Sequence, residues 1–245
     1  MLVLDLVGGA LQYAIQCFDR TLFPPHCLIT GKVIQGNPPL PMVSVEGLDR
    51  CTAAPDAVEL MLTAQRHCVA DEIAFSSIAA LWELHAHAPT HALMMAIKYR
   101  GHSKLAFALG ATIGTTICNR AWLFIRFDEQ TVVTFVPVHR TRRRERGYDQ
   151  AQCIANGLAA SLGTQTLSTL QRTRYTGTQT ALNEVARANN MANAFGVRLN
   201  SNVNGKHVIL VDDVFTTGAT ANAAATALIL AGARRVDVVT VCATL

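Results

Sequence analysis

The chain has 245 residues, half of them hydrophobic, with 16% charged residues and a formal net charge of +4. That length buries a core without disulfide staples, and no apolar run reaches the roughly 20 residues that a membrane-spanning helix needs. The seven cysteines show no secreted disulfide framework, so a reducing cytoplasm is the expected compartment.

Met1 to Phe18 is apolar at helical spacing (Leu4, Val7, Leu11, Ala14, Ile15). It lacks a basic leading segment and carries Asp5 inside its apolar part. It therefore reads as a core or capping helix rather than a signal peptide, with a membrane-surface anchor as the alternative. Pro24, Pro25, Pro38, Pro39, Pro41 and Pro55 break long elements up to residue 89, and Cys17, Cys27, Cys51 and Cys68 are scattered through the same stretch. Residues 1–89 are expected to form a small, irregular N-terminal module.

From Thr90 onward helical and strand patterns alternate, which predicts βαβ units around a parallel sheet in residues 90–245. Helices are expected over 91–97 and 104–117, on either side of the basic turn Lys98-Tyr99-Arg100-Gly101. Residues 131–138 read as a buried β-branched strand, 148–162 as a helix closed by Gly163, and 166–170 as a further strand. The polar stretch 171–193 has no clean period and reads as a long loop of the kind that serves as a lid. A strand at 207–211, a helix at 220–230 ended by Gly232, and a strand at 236–241 complete the chain.

The strongest chemical signal is the run Val211-Asp212-Asp213-Val214-Phe215-Thr216-Thr217-Gly218-Ala219-Thr220 between a strand and a helix. A helix N-terminus offers unpaired N–H groups and partial positive charge to a phosphate, and Gly218 lets the backbone approach. Thr216, Thr217 and Thr220 add hydroxyl donors, while Asp212 and Asp213 can accept from sugar hydroxyls. The competing account is a plain strand-to-helix turn whose acids cap the helix. A second signal is the run His139-Arg140-Thr141-Arg142-Arg143-Arg144-Glu145-Arg146 after Val136-Pro137-Val138. In a doubly wound sheet this loop opens onto the same crevice, where arginines clamp a pyrophosphate in bidentate fashion. A solvated basic turn is the alternative.

The acid-threonine run resembles the 5-phosphoribosyl-1-pyrophosphate (PRPP) motif of type I phosphoribosyltransferases. With Lys98-Tyr99-Arg100-Gly101, Arg146-Gly147-Tyr148-Asp149-Gln150-Ala151 and Arg172-Thr173-Arg174, the order of segments over residues 90–245 resembles the ComF family, which is associated with competence and single-stranded DNA uptake. The resemblance implies a type I phosphoribosyltransferase fold, α/β and doubly wound. It implies Asp212 and Asp213 on the ribose hydroxyls, directly or through Mg²⁺-bound water, and Thr216, Thr217, Gly218, Ala219 and Thr220 around the 5-phosphate. Arg142, Arg144, Arg146, Arg172 and Arg174 then form the catalytic cation cluster, Arg172 and Arg174 bordering a mobile loop over the site, with Lys98 and Arg100 adding charge near the PRPP. The expected activity is transfer of the phosphoribosyl group from PRPP to a nitrogen acceptor with Mg²⁺. Two alternatives stand beside it: a single-stranded DNA handling factor working with competence proteins at the inner face of the membrane, with Tyr99, Tyr148 or Tyr175 stacking on bases, and a PRPP-sensing regulator.

Members of that family usually open with a zinc module built from CxxC pairs. Here Cys27-Leu28-Ile29-Thr30, Cys51-Thr52-Ala53-Ala54 and Cys68-Val69-Ala70-Asp71 each lack the second cysteine. Alanine and threonine supply no zinc ligand, so a metal-free remnant is expected, His26, His67 and Asp71 notwithstanding.

Overall fold

The structure is a computed structural model that describes residues 23–68, 73–119, 122, 125, 127–172, 194–199 and 201–244. The expected N-terminal helix, Arg174, Tyr175 and the lid over 173–193 lie outside the described residues. The chain divides into two compact units, 1–50 and 51–245. Among the described residues no helix is long and apolar enough to cross a membrane.

In the first unit, antiparallel bridges join His26 to Val33 and Leu40 to Val43. The one-turn helix α1, Val45–Leu48, is capped by Ser44, whose Oγ accepts from Gly47 N at 3.1 Å. Cys27, 2% exposed, accepts the Ser44 N–H at 3.4 Å. A Cβ at Gly47 would lie 2.8 Å from its sulfur, so glycine is what lets α1 close on this thiol.

The second unit is built on a four-stranded parallel sheet in the order β1-β6-β5-β2, with β1 at Ser77–Glu83, β2 at Thr131–Phe135, β5 at His207–Phe215 and β6 at Arg235–Ala243. The strands are apolar and mostly buried because both faces are covered. Alternate residues point to opposite faces. Ile78, Val132, Val208, Leu210, Val236 and Val238 share one core with helix α2, Ala57–His67, and helix α7, Ala219–Leu230. The other face packs on α4, Ser103–Cys118, and α6, Gln150–Leu162. The backbones of α4 and α6 cross closely: a Cβ at Gly110 would meet Ile154 O at 1.8 Å, and one at Gly157 would meet Phe107 O at 1.9 Å. Helix α3, Pro89–Tyr99, follows β1 with proline in its first turn. At the amino end of the sheet, buried Asp237 accepts from Ser77 Oγ at 2.8 Å and from Arg235 Nε at 3.0 Å, and pairs with His207 Nε2 at 2.8 Å. That network fastens β1, β5 and β6 together.

The doubly wound parallel sheet matches the sequence reading, with four differences. The compact units divide at Arg50/Cys51 rather than at 89/90, because α2 and β1 pack into the sheet domain. The arginine run expected as a loop is the two-turn helix α5, Arg140–Arg146, started by His139 and stopped by Gly147 at φ +77°. Of the strand expected over 166–170, Thr166 makes only an isolated parallel bridge to Val133. Residues Leu170–Arg172 form β3, which pairs antiparallel with β4, Phe195–Val197, in a separate hairpin. Finally, β5 continues to Phe215, so both acids lie within the strand.

Candidate functional site

The site gathers at the carboxyl ends of the parallel strands, where β5, the segment after β2, and the last turn of α3 meet. In β5, Asp212 Oδ1 accepts the N–H of Asp213 at 2.8 Å. Burial first, and the neighbouring charge of Asp213 second, push the Asp212 carboxyl up to about 8. The Asp213 N–H and Lys98 pull it down, and Asp149 adds to the rise. Asp213 is compensated differently: its Oδ2 lies 3.2 Å from Lys98 Nζ, with both side chains mostly buried. Lys98, expected to add positive charge near the PRPP, pairs with Asp213.

Beyond Phe215 the chain turns through exposed Thr216 and Thr217 to buried Gly218, which starts α7 at φ +78°. A left-handed φ suits glycine. Space demands it as well, since a Cβ there would sit 3.0 Å from both Ala64 Cβ and the Phe215 ring. The N-cap Gly218 has no side chain to cap α7, and the Ala219 N–H is met at 3.4 Å by Thr217 Oγ1, so the positive end of the dipole and the Thr220 N–H remain to attract an anion. The turn is braced from α2 by Cys68, whose Sγ lies 3.9 Å from Thr217 O, and from residue 74 by the Ala74 N–H donated to Asn222 Oδ1 at 2.7 Å.

Across from this loop stands α5. Its base is closed by Asp149, whose Oδ2 accepts from Val138 N at 3.1 Å and whose Oδ1 caps α6 by accepting from Gln152 N at 3.3 Å. Burial raises the Asp149 carboxyl, opposed by those two N–H groups and by Arg143. Arg142, Arg143 and Arg144 are exposed. Arg146 is not free in the same way: its guanidinium stacks 5.2 Å over the Tyr99 ring and its Nη1 donates to Gln150 Oε1 at 3.0 Å. The Tyr148 hydroxyl donates to Ile97 O, and burial pushes that phenol up to about 12.

The hairpin contributes Arg172, half-buried, with its guanidinium 5.4 Å over the Phe195 ring. Burial and the positive charge of Arg142 lower its pKa, and Asp212 opposes them. Arg100 is exposed at the C-cap of α3. The sequence reading singled out Asp212, Asp213 and Lys98, which the fold brings together, and Arg142 and Arg172, of which the first is exposed on α5 and the second lies over Phe195. It gave no role to Asp149, although an aspartate opening an apolar helix after glycine signals an N-cap.

Asp212 and Asp213 carry the carboxylate oxygens that a hard divalent cation takes, with one oxygen of Asp213 paired to Lys98 and one of Asp212 accepting the Asp213 N–H. Among the described residues no group of three or more His, Cys, Asp or Glu side chains is placed to hold a metal by itself. Cys51 and Cys68 belong to the second unit and Cys27 to the first. A cavity of about 370 Å³ lined by Phe127, Asp128, Leu162 and Gly163 lies at the amino end of β2, the opposite edge from these groups.

Residues 117–245 match the family model described as the phosphoribosyl transferase domain. The DNA utilization protein YhgH of Escherichia coli (strain K12) is 33% identical over 159 residues, which is 64% of this chain and 68% of that protein. Competence protein F of Haemophilus influenzae is 34% identical over 119 residues, 45% of this chain and 52% of that one. Among solved structures, the glutamine phosphoribosylpyrophosphate amidotransferase of B. subtilis complexed with ADP and GMP aligns at a TM-score of 0.40 and 19% identity, over 60% of this chain and 30% of that one. Sheet order, the strand–acid–glycine–helix passage and the family match agree, and the chain belongs to the ComF family of phosphoribosyl transferase domain proteins.

Proposed function

We propose that this protein binds PRPP with Mg²⁺ and transfers its phosphoribosyl group to a nitrogen acceptor. The observation that carries the reading is the meeting of an acid pair, a helix start capped only by a glycine and a group of arginines at the carboxyl edge of one parallel sheet, where such folds take their ligands. The opening N–H groups of α7 and the hydroxyls of Thr216, Thr217 and Thr220 hold the 5-phosphate. Asp212 and Asp213 accept from the ribose hydroxyls. Arg142 and Arg144, with Arg172 from the hairpin, face the pyrophosphate.

In the transfer, the bond from C1 to the pyrophosphate oxygen breaks as the acceptor nitrogen bonds to C1, and pyrophosphate leaves with the electron pair. Positive charge develops at C1 and negative charge on the leaving group, so arginines already in place stabilise the transition state more than the ground state. Asp212 and Asp213 would hold Mg²⁺ brought with PRPP, which would neutralise part of the pyrophosphate charge. No side-chain nucleophile is required.

A second reading, binding of single-stranded DNA, is favoured by the exposed arginines of α5 beside Tyr99, 64% exposed, and by the names of the two relatives. Of the three tyrosines considered for base stacking, Tyr148 is engaged with Ile97, and Tyr99 is exposed but carries the Arg146 guanidinium over its ring. Calorimetry separates the readings. PRPP with Mg²⁺ binds the native protein and binds the Asp212→Asn, Asp213→Asn double variant far more weakly. Replacing Arg142, Arg143 and Arg144 by alanine weakens PRPP much more than ribose 5-phosphate. A triple variant that keeps PRPP and loses single-stranded DNA overturns the first reading in favour of the second.

A further inference from the structure

The two anion-facing elements come from distant parts of the chain, and three consecutive residues at the end of α3 touch both. Ile97 O is among the carbonyls that a helix end leaves without an intrahelical partner, and it takes the Tyr148 hydroxyl at the foot of α5. Tyr99 carries the Arg146 guanidinium at 5.2 Å. Lys98, between them, reaches the other way, its Nζ 3.2 Å from Asp213 Oδ2. Successive helical residues point about 100° apart, so one turn can engage two partners at once.

We propose that Ile97–Tyr99 is a clip that fixes the separation of the arginine helix from the acid pair, and that Tyr148 is a positioning residue acting through it. The Tyr148 hydroxyl and Arg146 Nη1 are engaged within the protein, with Ile97 O and Gln150 Oε1. Their contacts hold Arg142 and Arg144 at a set distance from Asp212 and Asp213. The consequence is selectivity for a ligand carrying a pyrophosphate one ribose away from its other phosphate. The inference rests on the PRPP reading and deepens it.

The test is binding of two probes, PRPP with Mg²⁺ and ribose 5-phosphate, to Tyr148→Phe and Tyr99→Leu, with thermal midpoints measured alongside. Loss of one neutral hydrogen bond that only positions other groups is expected to weaken PRPP by up to about tenfold, with ribose 5-phosphate within about twofold because its phosphate loop is untouched. In the background of Arg142, Arg143 and Arg144 all changed to alanine, Tyr148→Phe should have no further effect on PRPP, since the groups it positions are gone. Equal weakening of both probes, or an additive effect in the arginine-free background, reduces Tyr148 to a merely structural residue and overturns the clip. Unchanged PRPP binding in both Tyr148→Phe and Tyr99→Leu also overturns it. Failure of the native protein to bind PRPP is a different result, one that removes the reading on which the clip rests.

Discussion

Val138 and Asp149 hold the two ends of the arginine helix together: the Val138 N–H donates to Asp149 Oδ2 at 3.1 Å, and the other carboxylate oxygen caps α6 through Gln152. The partners lie eleven positions apart in the chain, so a charge-rich segment that would otherwise spread is closed at its base. The cost is a buried carboxyl whose pKa rises with desolvation.

Asp149→Ala removes both acceptors and is expected to lower stability by about 1–3 kcal/mol. Asp149→Asn keeps one acceptor oxygen and relieves the burial of charge, so its loss should be clearly smaller. Urea denaturation of the two variants checks the order. Asparagine as damaging as alanine would show that the staple does not depend on the accepting oxygen.

The crossing of α4 and α6 gives a second expectation. Alanine favours a helix over glycine by about 1 kcal/mol, so Gly110→Ala and Gly157→Ala would stabilise an isolated helix. Here the added carbon falls 1.8 Å from Ile154 O or 1.9 Å from Phe107 O, and backbone cannot yield as a side-chain tip does. Sterics therefore outweigh propensity, and each variant is expected to lose at least about 2 kcal/mol, in the upper range for overpacking. Thermal melts that rise for either variant would contradict this packing.

What the sequence disclosed and what it hid follow from range. The passage from Val208 through Asp213 to Gly218 is local, and strand, acids, glycine and helix each announce themselves within a dozen residues. The run Arg140–Arg146 misled because like charges repel, although arginine is a good helix former and the segment carries its own stops in His139 and Gly147. Strand β1 was hidden among prolines and cysteines, and only its pairing with β6 makes it a strand. The contacts of Tyr148 with Ile97, Arg146 with Tyr99 and Arg172 with Phe195 join residues 23 to 51 positions apart, and no local pattern encodes them.

Asp212 gives a pH dependence with a definite sign. An unfolded aspartate titrates near about 3.9, whereas burial and Asp213 push this one up to about 8 in the folded protein. Between those values the folded state holds a proton that the unfolded state has released. Stability is therefore fully present below the unfolded value and is lost as pH rises toward 8, by at most about 1.4 kcal/mol per pH unit for one proton. Cys27 works against this in the same range. Burial raises its thiol, but hydrogen bonds from Ser44 and Thr30 outweigh burial and bring it to about 6, so its contribution grows as pH rises. The difference between the native protein and Asp212→Asn cancels Cys27 and isolates the acid. Chemical denaturation of both, ligand-free in a chelator from pH 5 to 8, should show the native protein losing ground steadily to the variant as pH increases. A difference that stays flat across that range would mean that Asp212 is already ionised at pH 5, with its charge met by Lys98 and the Asp213 N–H rather than by a proton.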